Sequence, residues 1–250
     1  MATSAPILAT RSLGLDIGGA RIVAGVSLEV RAGEFVGIIG PNGAGKTTLF
    51  NLLSGLARPT AGSIELAGRD VTGDAPFRRT RAGLGRTFQV SSVFPLLTVH
   101  ENVRLAAEAA LGGAMRIWRR AAGVGVEQAA AALDRVGLGG RGALPAGLLS
   151  HGDKRKLELA MLLSAEPRVI LLDEPMAGIS VEDVADLVEL IRSVQADGAT
   201  VLMVEHRMEV VVGLAERIAV MHHGALLAFD EPDKVMANET VQTAYLGEPL

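Results

Sequence analysis

Residues 7 to 39 carry short apolar runs broken by glycines and turn residues, as in Ser27-Leu28-Glu29-Val30 and then Glu34-Phe35-Val36-Gly37-Ile38-Ile39. A period of two between turn residues predicts strands and hairpins, and the last run, apolar almost throughout, predicts a strand covered on both faces. From Lys46 to Leu56 the period changes. Leu49, Phe50, Leu52, Leu53 and Leu56 recur at helical spacing and Pro59 lies just beyond, so a helix is predicted there. The glycine-rich stretch between the two patterns joins strand to helix.

Between about residues 90 and 160 the chain turns Ala-rich and helical, with an amphipathic stretch from Glu127 to Val136 and breakers at Gly112-Gly113 and Gly139-Gly140. The α/β pattern then returns. Val169 to Leu172 predicts a buried strand, Val181 to Gln195 a helix and Thr200 to Val204 another strand. The tail predicts a hairpin of Ile218 to Met221 with Ala225 to Phe229 around Gly224, then a short helix near Asp233. The expected organisation is one α/β domain over residues 1–250, with a β-rich entry, a core from about 1–89 and 161–250, and a helical subdomain over about 90–160.

Composition narrows the function. Apolar residues make up 49% of the 250 but aromatics only 3%, so the core must be built from Ala, Val, Leu and Ile, which suits parallel strands flanked by helices. A formal net charge of -4 argues against a surface that neutralises many phosphates of a nucleic acid, while a single nucleotide remains compatible. The absence of cysteine excludes disulfides and thiolate metal sites, and leaves a cytosolic setting as the expectation. The stretch from Met1 to Leu15 does not read as a secretory signal, and no stretch approaches the roughly 18 apolar residues of a membrane span. Any membrane role is therefore expected to run through a partner.

The segment Gly40-Pro41-Asn42-Gly43-Ala44-Gly45-Lys46-Thr47-Thr48 matches the P-loop. Its glycines let successive backbone N–H groups converge on phosphate oxygens at a helix N-terminus. Lys46 is expected to reach the β- and γ-phosphates and Thr47 to ligate Mg²⁺. A glycine turn before a helix can carry Lys-Thr by chance, but here strand, loop and helix all stand where the motif needs them. Further on, Val169-Ile170-Leu171-Leu172-Asp173-Glu174 is an apolar strand that ends in two carboxylates, at the sheet edge where open α/β sheets bind ligands. Asp173 is expected to hold Mg²⁺ and Glu174 to polarise the water that attacks the γ-phosphate.

Between these motifs, Leu149-Ser150-His151-Gly152-Asp153 followed by Lys154-Arg155-Lys156-Leu157-Glu158-Leu159-Ala160 resembles the signature segment of ABC ATPases. The resemblance runs over roughly Ile7 to Leu246. It implies a P-loop NTPase fold with an N-terminal antiparallel β subdomain and an inserted helical subdomain. It also implies two cassettes that sandwich two ATP molecules, with Ser150 and Gly152 of one facing the γ-phosphate held by the other. Gln89, in Arg86-Thr87-Phe88-Gln89, and His206 fall at the family's polar γ-phosphate sensors. By resemblance, Gln89 touches Mg²⁺ and the attacking water, and His206 braces the γ-phosphate and the general base.

Arg86-Thr87-Phe88-Gln89, Asp153, the turn Ala177-Gly178 after Pro175 and the ending Ala244-Tyr245-Leu246-Gly247-Glu248 look like ATPase subunits of branched-chain amino acid importers. Relatives that import urea or short amides share much of this pattern, and a soluble ABC ATPase without a membrane partner is the reading from another class. The importer resemblance implies a second cassette, either a copy or a related chain, and integral membrane permease subunits contacted near Gln89–Val99. It further implies a periplasmic or extracellular substrate-binding protein, and a peripheral place on the cytoplasmic face of the bacterial inner membrane.

Three positions depart from the family. Where an aromatic residue stacks on adenine, the matching stretch Leu15-Asp16-Ile17-Gly18-Gly19 offers Ile17, so Ile17 and Val23 are expected to form the adenine wall. His151 replaces a residue that is Gly or aromatic in many relatives, and Ser180 stands where Asp or Asn is frequent. Arg78, Arg79 and Arg81 read as surface charge, and Met115-Arg116-Ile117-Trp118-Arg119-Arg120 as a solvated helix face. His222-His223 lack the acids or cysteines that a metal site would need.

Overall fold

The computed structural model describes residues 5–87, 93–110 and 124–246. Its first strands, β1 (Leu8–Ile17) and β2 (Ala20–Val30), pair antiparallel across the Gly18-Gly19 turn, and β4 (Ala61–Leu66) and β5 (Arg69–Asp70) complete a four-stranded sheet ordered β2-β1-β4-β5. Between β2 and β4 in sequence, but in the second sheet, lies β3 (Phe35–Ile39), buried at every position as its apolar run requires. Helix α1 (Lys46–Ser54) follows the P-loop and stops at Gly55, which adopts the left-handed conformation at φ 81 that glycine supplies at helix ends. The helix predicted to Leu56 is thus two residues shorter, and Leu56 lies exposed.

Helix α2 (Pro76–Arg81) and strand β6 (Leu84–Arg86) lead toward the helical region. There α3 (Val99–Ala110), α4 (Val124–Arg135) and α5 (His151–Leu163) pack on one another, burying Val103, Ala107, Ala129, Leu133 and Leu157. The amphipathic stretch predicted at Glu127 to Val136 is α4, started three residues earlier. The chain then returns to the sheet through β7 (Val169–Asp173), α6 (Val181–Ala196), β8 (Thr200–Val204), α7 (Met208–Leu214), β9 (Arg217–His222) and β10 (Ala225–Asp230). Two short helices, α8 (Pro232–Met236) and α9 (Glu239–Leu246), close it. The second sheet is ordered β10-β9-β3-β8-β7-β6, with parallel pairing from β9 to β6 and β10 antiparallel at the edge.

The strand order puts the carboxyl ends of β3, β8 and β7 side by side. Hence the glycine loop, the Asp173-Glu174 pair and His206, far apart in sequence, share one sheet edge. One expectation is corrected in the same region. Arg79 is not surface charge: it is 1% exposed, and its guanidinium donates to the carbonyls of Leu52, Leu53, Thr72 and Asp74 at 2.6 to 3.1 Å. The end of α1 leaves carbonyls without intrahelical partners, and a buried arginine satisfies them.

Candidate active site

The loop from Gly40 to Gly45 is shaped by close packing. A Cβ at Gly40 would stand 2.2 Å from the Met221 carbonyl, and one at Gly45 would stand 2.8 Å from the Ile22 carbonyl. Gly43, at φ 79, and Gly45, at φ 95, use backbone that other residues adopt only with strain. The hairpin between β9 and β10 locks the loop from below: Gly224 donates to Ala44 at 3.1 Å and accepts from Ala24 at 2.8 Å. Helix α1 opens with no side-chain cap and no acidic residue in its first turn, so its N–H groups remain free for an anion.

Lys46 is 6% exposed. Its ammonium donates to the carbonyls of Gly40 at 2.7 Å and Pro41 at 3.0 Å, so the side chain lies back along the loop. Burial lowers its pKa, against the pull of the Glu174 and Asp173 carboxylates. Asp173 ends β7 with its side chain 1% exposed, and burial raises its pKa above the usual carboxylate range despite the Arg86 guanidinium beside it. Arg86 donates to Asp173 Oδ2 at 2.9 Å, and its other arm reaches Asn51 Oδ1 and Ser54 Oγ of α1, each at 2.8 Å.

Glu174 stands at φ 48, a left-handed conformation that costs of order 1–3 kcal/mol for a non-glycine residue. It is held there from β8, because its N–H donates to the Val204 carbonyl at 2.9 Å. Its Oε1 lies 3.0 Å from His206 Nε2. The structure brings Lys46, Asp173, Glu174 and His206 to one edge, and the last two are in direct contact, the pairing that the family resemblance implies.

At the other end of the helical region, Ser150 caps α5. Its hydroxyl accepts from the Asp153 N–H at 3.1 Å and donates to Asp153 Oδ2, a carboxylate also held by Arg141. Gly152 is buried against α6, where an added Cβ would meet the Asp183 carboxylate at 2.6 Å. Asp183 is in turn fixed by Ser180, which caps α6 by accepting from the Asp183 N–H at 3.2 Å and donating to Oδ2 at 2.9 Å. Ser180 thus has a local task that its position in the sequence did not reveal. His151 is exposed at the first position of α5.

The adenine wall divides. Ile17 is 59% exposed at the end of β1 and can offer a face to a ring, whereas Val23 is fully buried in the core beneath the antiparallel sheet and presents none. Val23 is corrected to a packing residue, since its place in β2 points it inward. Gln89 and the segment around Trp118 lie outside the described residues. His222 and His223 stack edge-on beside the Gly224 turn, and no group of three metal-binding side chains occurs among the described residues. Nor does any described helix have the length and apolarity to cross a membrane.

Comparison with known proteins places this geometry. A family profile described as ABC transporter matches residues 23–177. The chain is 39% identical over 98% of its length, and 99% of the relative's, to the high-affinity branched-chain amino acid transport ATP-binding protein LivG of Salmonella typhimurium. It is 38% identical over 98% of its length and 99% of the relative's to BraF of Pseudomonas aeruginosa, described in the same words. Among solved structures, the ADP conformation of MJ1267, an ATP-binding cassette of an ABC transporter, superimposes with a TM-score of 0.87 at 29% identity, covering 98% of this chain and 100% of that one. The dimeric post-hydrolysis state of the cassette MJ0796 bound to ADP and Pi gives 0.76 at 25% identity, covering 90% and 98%.

Proposed function

We propose, proceeding from the fact that this chain belongs to the ABC transporter family, that it binds and hydrolyses ATP to energise an importer of branched-chain amino acids. ATP hydrolysis and the importer role follow from the family and its full-length relatives. The cargo rests on one observation: the likeness to LivG and BraF extends over nearly all of both chains.

The residues present fit Mg²⁺. Arg86 occupies Asp173 Oδ2, while the buried Oδ1 has no hydrogen-bond partner among the described atoms, which leaves one hard oxygen donor at the end of β7. Asp173 and the Thr47 hydroxyl would hold the ion, with Gln89 added by family resemblance. When bound, Mg²⁺ neutralises charge on the β- and γ-phosphates. The remaining work falls to the chain. Phosphate oxygens replace the Gly40 and Pro41 carbonyls at the Lys46 ammonium and take the free N–H groups of α1. His206, donating from Nε2, orients the Glu174 carboxylate, whose other oxygen accepts a proton from the attacking water.

The start of α5, capped at Ser150, serves the ATP held by a second cassette, which is a copy of this chain or a related one. Dimeric assembly of a solved relative supports that pairing. The permease contact lies near Gln89–Val99, of which residues 93–99 are described. There Phe94 and Leu96 are exposed, Leu96 at 93%, and the turn before α3 is tied to 142–147 through Val99 to Leu144 and Ala146 to Leu97 bonds of 2.9 Å. Leu144 and Leu148 widen the apolar rim. Because Ser150 follows directly, force on this rim reaches the start of α5. The chain then sits on the cytoplasmic face of a bacterial inner membrane, and a substrate-binding protein delivers the amino acid outside.

Gentle solubilisation, affinity capture and mass spectrometry test this reading. Recovery with integral membrane subunits, a second cassette and a leucine-binding protein is expected. Recovery only with soluble partners refutes transport while leaving ATP hydrolysis in place, and a binding protein specific for urea or amides refutes the cargo alone.

A further inference from the structure

Three consecutive residues at the end of β8 touch the turn that carries Glu174. The Val204 carbonyl accepts the Glu174 N–H, and His206 Nε2 meets the Glu174 carboxylate. Between them, Glu205 is 3% exposed and aimed at the same turn. Its Oε1 accepts from the Met176 N–H at 2.8 Å, and its Oε2 accepts from the His206 N–H at 3.0 Å and the Arg207 N–H at 3.5 Å. One buried carboxylate thus bonds backbone on both sides of the Glu174–His206 contact.

We propose that Glu205 is a positioning residue for ATP hydrolysis, which spans the Pro175-Met176 turn and the His206 loop and thereby sets the distance between Glu174 and His206. The proposal rests on the reading of Glu174 as general base. Closing the turn from β8 into α7 requires only the local bonds to His206 and Arg207, which a shorter acid or a serine supplies. The Met176 bond, to a residue 29 positions away, adds nothing to that turn. What it does fix is the backbone two residues after Glu174. Since Glu174 holds a left-handed conformation, its turn has a strong tendency to relax, and it is restrained by Val204 before and by Glu205 after. Met176 completes the anchorage, its side chain 1% exposed in the core. A carboxylate suits the task because it accepts at both oxygens, whereas an amide of the same shape presents a donor to one of the two N–H groups.

Glu205→Gln and Glu205→Asp separate the alternatives. Gln keeps the volume but loses one side of the bridge; Asp keeps the charge and the local bonds but falls short of Met176. For both variants, kcat is expected to fall on the order of tenfold to a hundredfold, as small misplacements of catalytic groups do. KM for ATP and the affinity for a fluorescent ATP analogue stay within about twofold, since neither side chain touches the P-loop. Wild-type kcat in Glu205→Asp overturns the proposal, because the bridge to Met176 is then dispensable. A parallel loss of kcat, ATP affinity and melting temperature in both variants also overturns it, because Glu205 is then a general stabiliser. Glu174→Gln serves as the reference. Should it hydrolyse ATP at the wild-type rate, the general-base reading falls; should it be inactive while both Glu205 variants match the wild type, only the Glu205 proposal falls.

Discussion

Replacing Arg86 by Met should expose how much of the fold depends on one buried ion pair. The side chains of Arg86 and Asp173 are 7% and 1% exposed, and the guanidinium also donates to Asn51 and Ser54. Removing one partner of a buried pair leaves an uncompensated charge, at about 3–5 kcal/mol. The two lost bonds to α1 add about 1 kcal/mol each, and the methionine's packing offsets part of this. The expected loss is about 4–6 kcal/mol near pH 8, a large share of the roughly 5–15 kcal/mol that holds a domain together.

The loss should depend on pH, with a definite sign. Burial already raises the Asp173 pKa and Arg86 opposes it, so the Met variant raises it further above the unfolded value. An acid whose folded pKa is raised binds its proton more tightly when folded. The penalty is therefore complete at high pH and shrinks as pH falls through the folded pKa. Urea unfolding at pH 8 and pH 5 should show the smaller difference from wild type at pH 5. At pH 8, Arg86→Met/Asp173→Asn should be less destabilised than the sum of the single variants by about 2–3 kcal/mol. A penalty equal at both pH values, together with additivity within about 0.5 kcal/mol, would refute the account.

Two further outcomes follow from the nucleotide site. Ile17→Tyr should tighten ATP-analogue binding by about two- to tenfold, because an exposed aliphatic is exchanged for a ring that stacks on adenine for about 0.5–1.5 kcal/mol; unchanged affinity in a fluorescence titration removes Ile17 from the adenine wall. Gly40→Ala should abolish measurable ATP binding and lower stability by about 1–3 kcal/mol, since its Cβ would press on the Met221 backbone carbonyl at 2.2 Å. An affinity within about threefold of wild type by the same titration shows that the loop has room which the packing denies.

Periodicity made the scaffold of the site legible. The apolar runs at Phe35–Ile39, Val169–Leu172 and Val201–Val204 are strands covered on both faces, as in a parallel sheet, which puts the glycine loop and the Asp173-Glu174 pair at its carboxyl edge. Short elements were harder. Strands β5 and β6 have two and three residues, too few to display a period, and α7 was hidden because its residues after His206 are apolar without a clean helical spacing. Val23 was misplaced for a related reason: which face of β2 turns inward depends on the irregular register with β1, which shifts between Thr10 and Asp16.

The buried charges escaped for a different reason. Arg79 reads as surface charge because its partners are carbonyls of other segments, and the partners of Arg86, three side chains on α1 and β7, and of Glu205, with its bond to Met176, are likewise announced by no local pattern. Each bridges separate segments: Arg79 takes carbonyls at the end of α1, Arg86 ties side chains of α1 to Asp173 at the end of β7, and Glu205 joins the turn after Glu174 to the one before α7. Together they explain how a phosphate site at a helix N-terminus can be held still. The glycine loop must leave the N–H groups of α1 open, so that end cannot be fastened by a cap. The restraint is applied instead at the far end of the helix by Arg79 and along its side by Arg86, which also grips Asp173. Movement of α1 relative to β7 then has to break buried, charge-assisted hydrogen bonds, and the loop and the Asp173 carboxylate keep one mutual position.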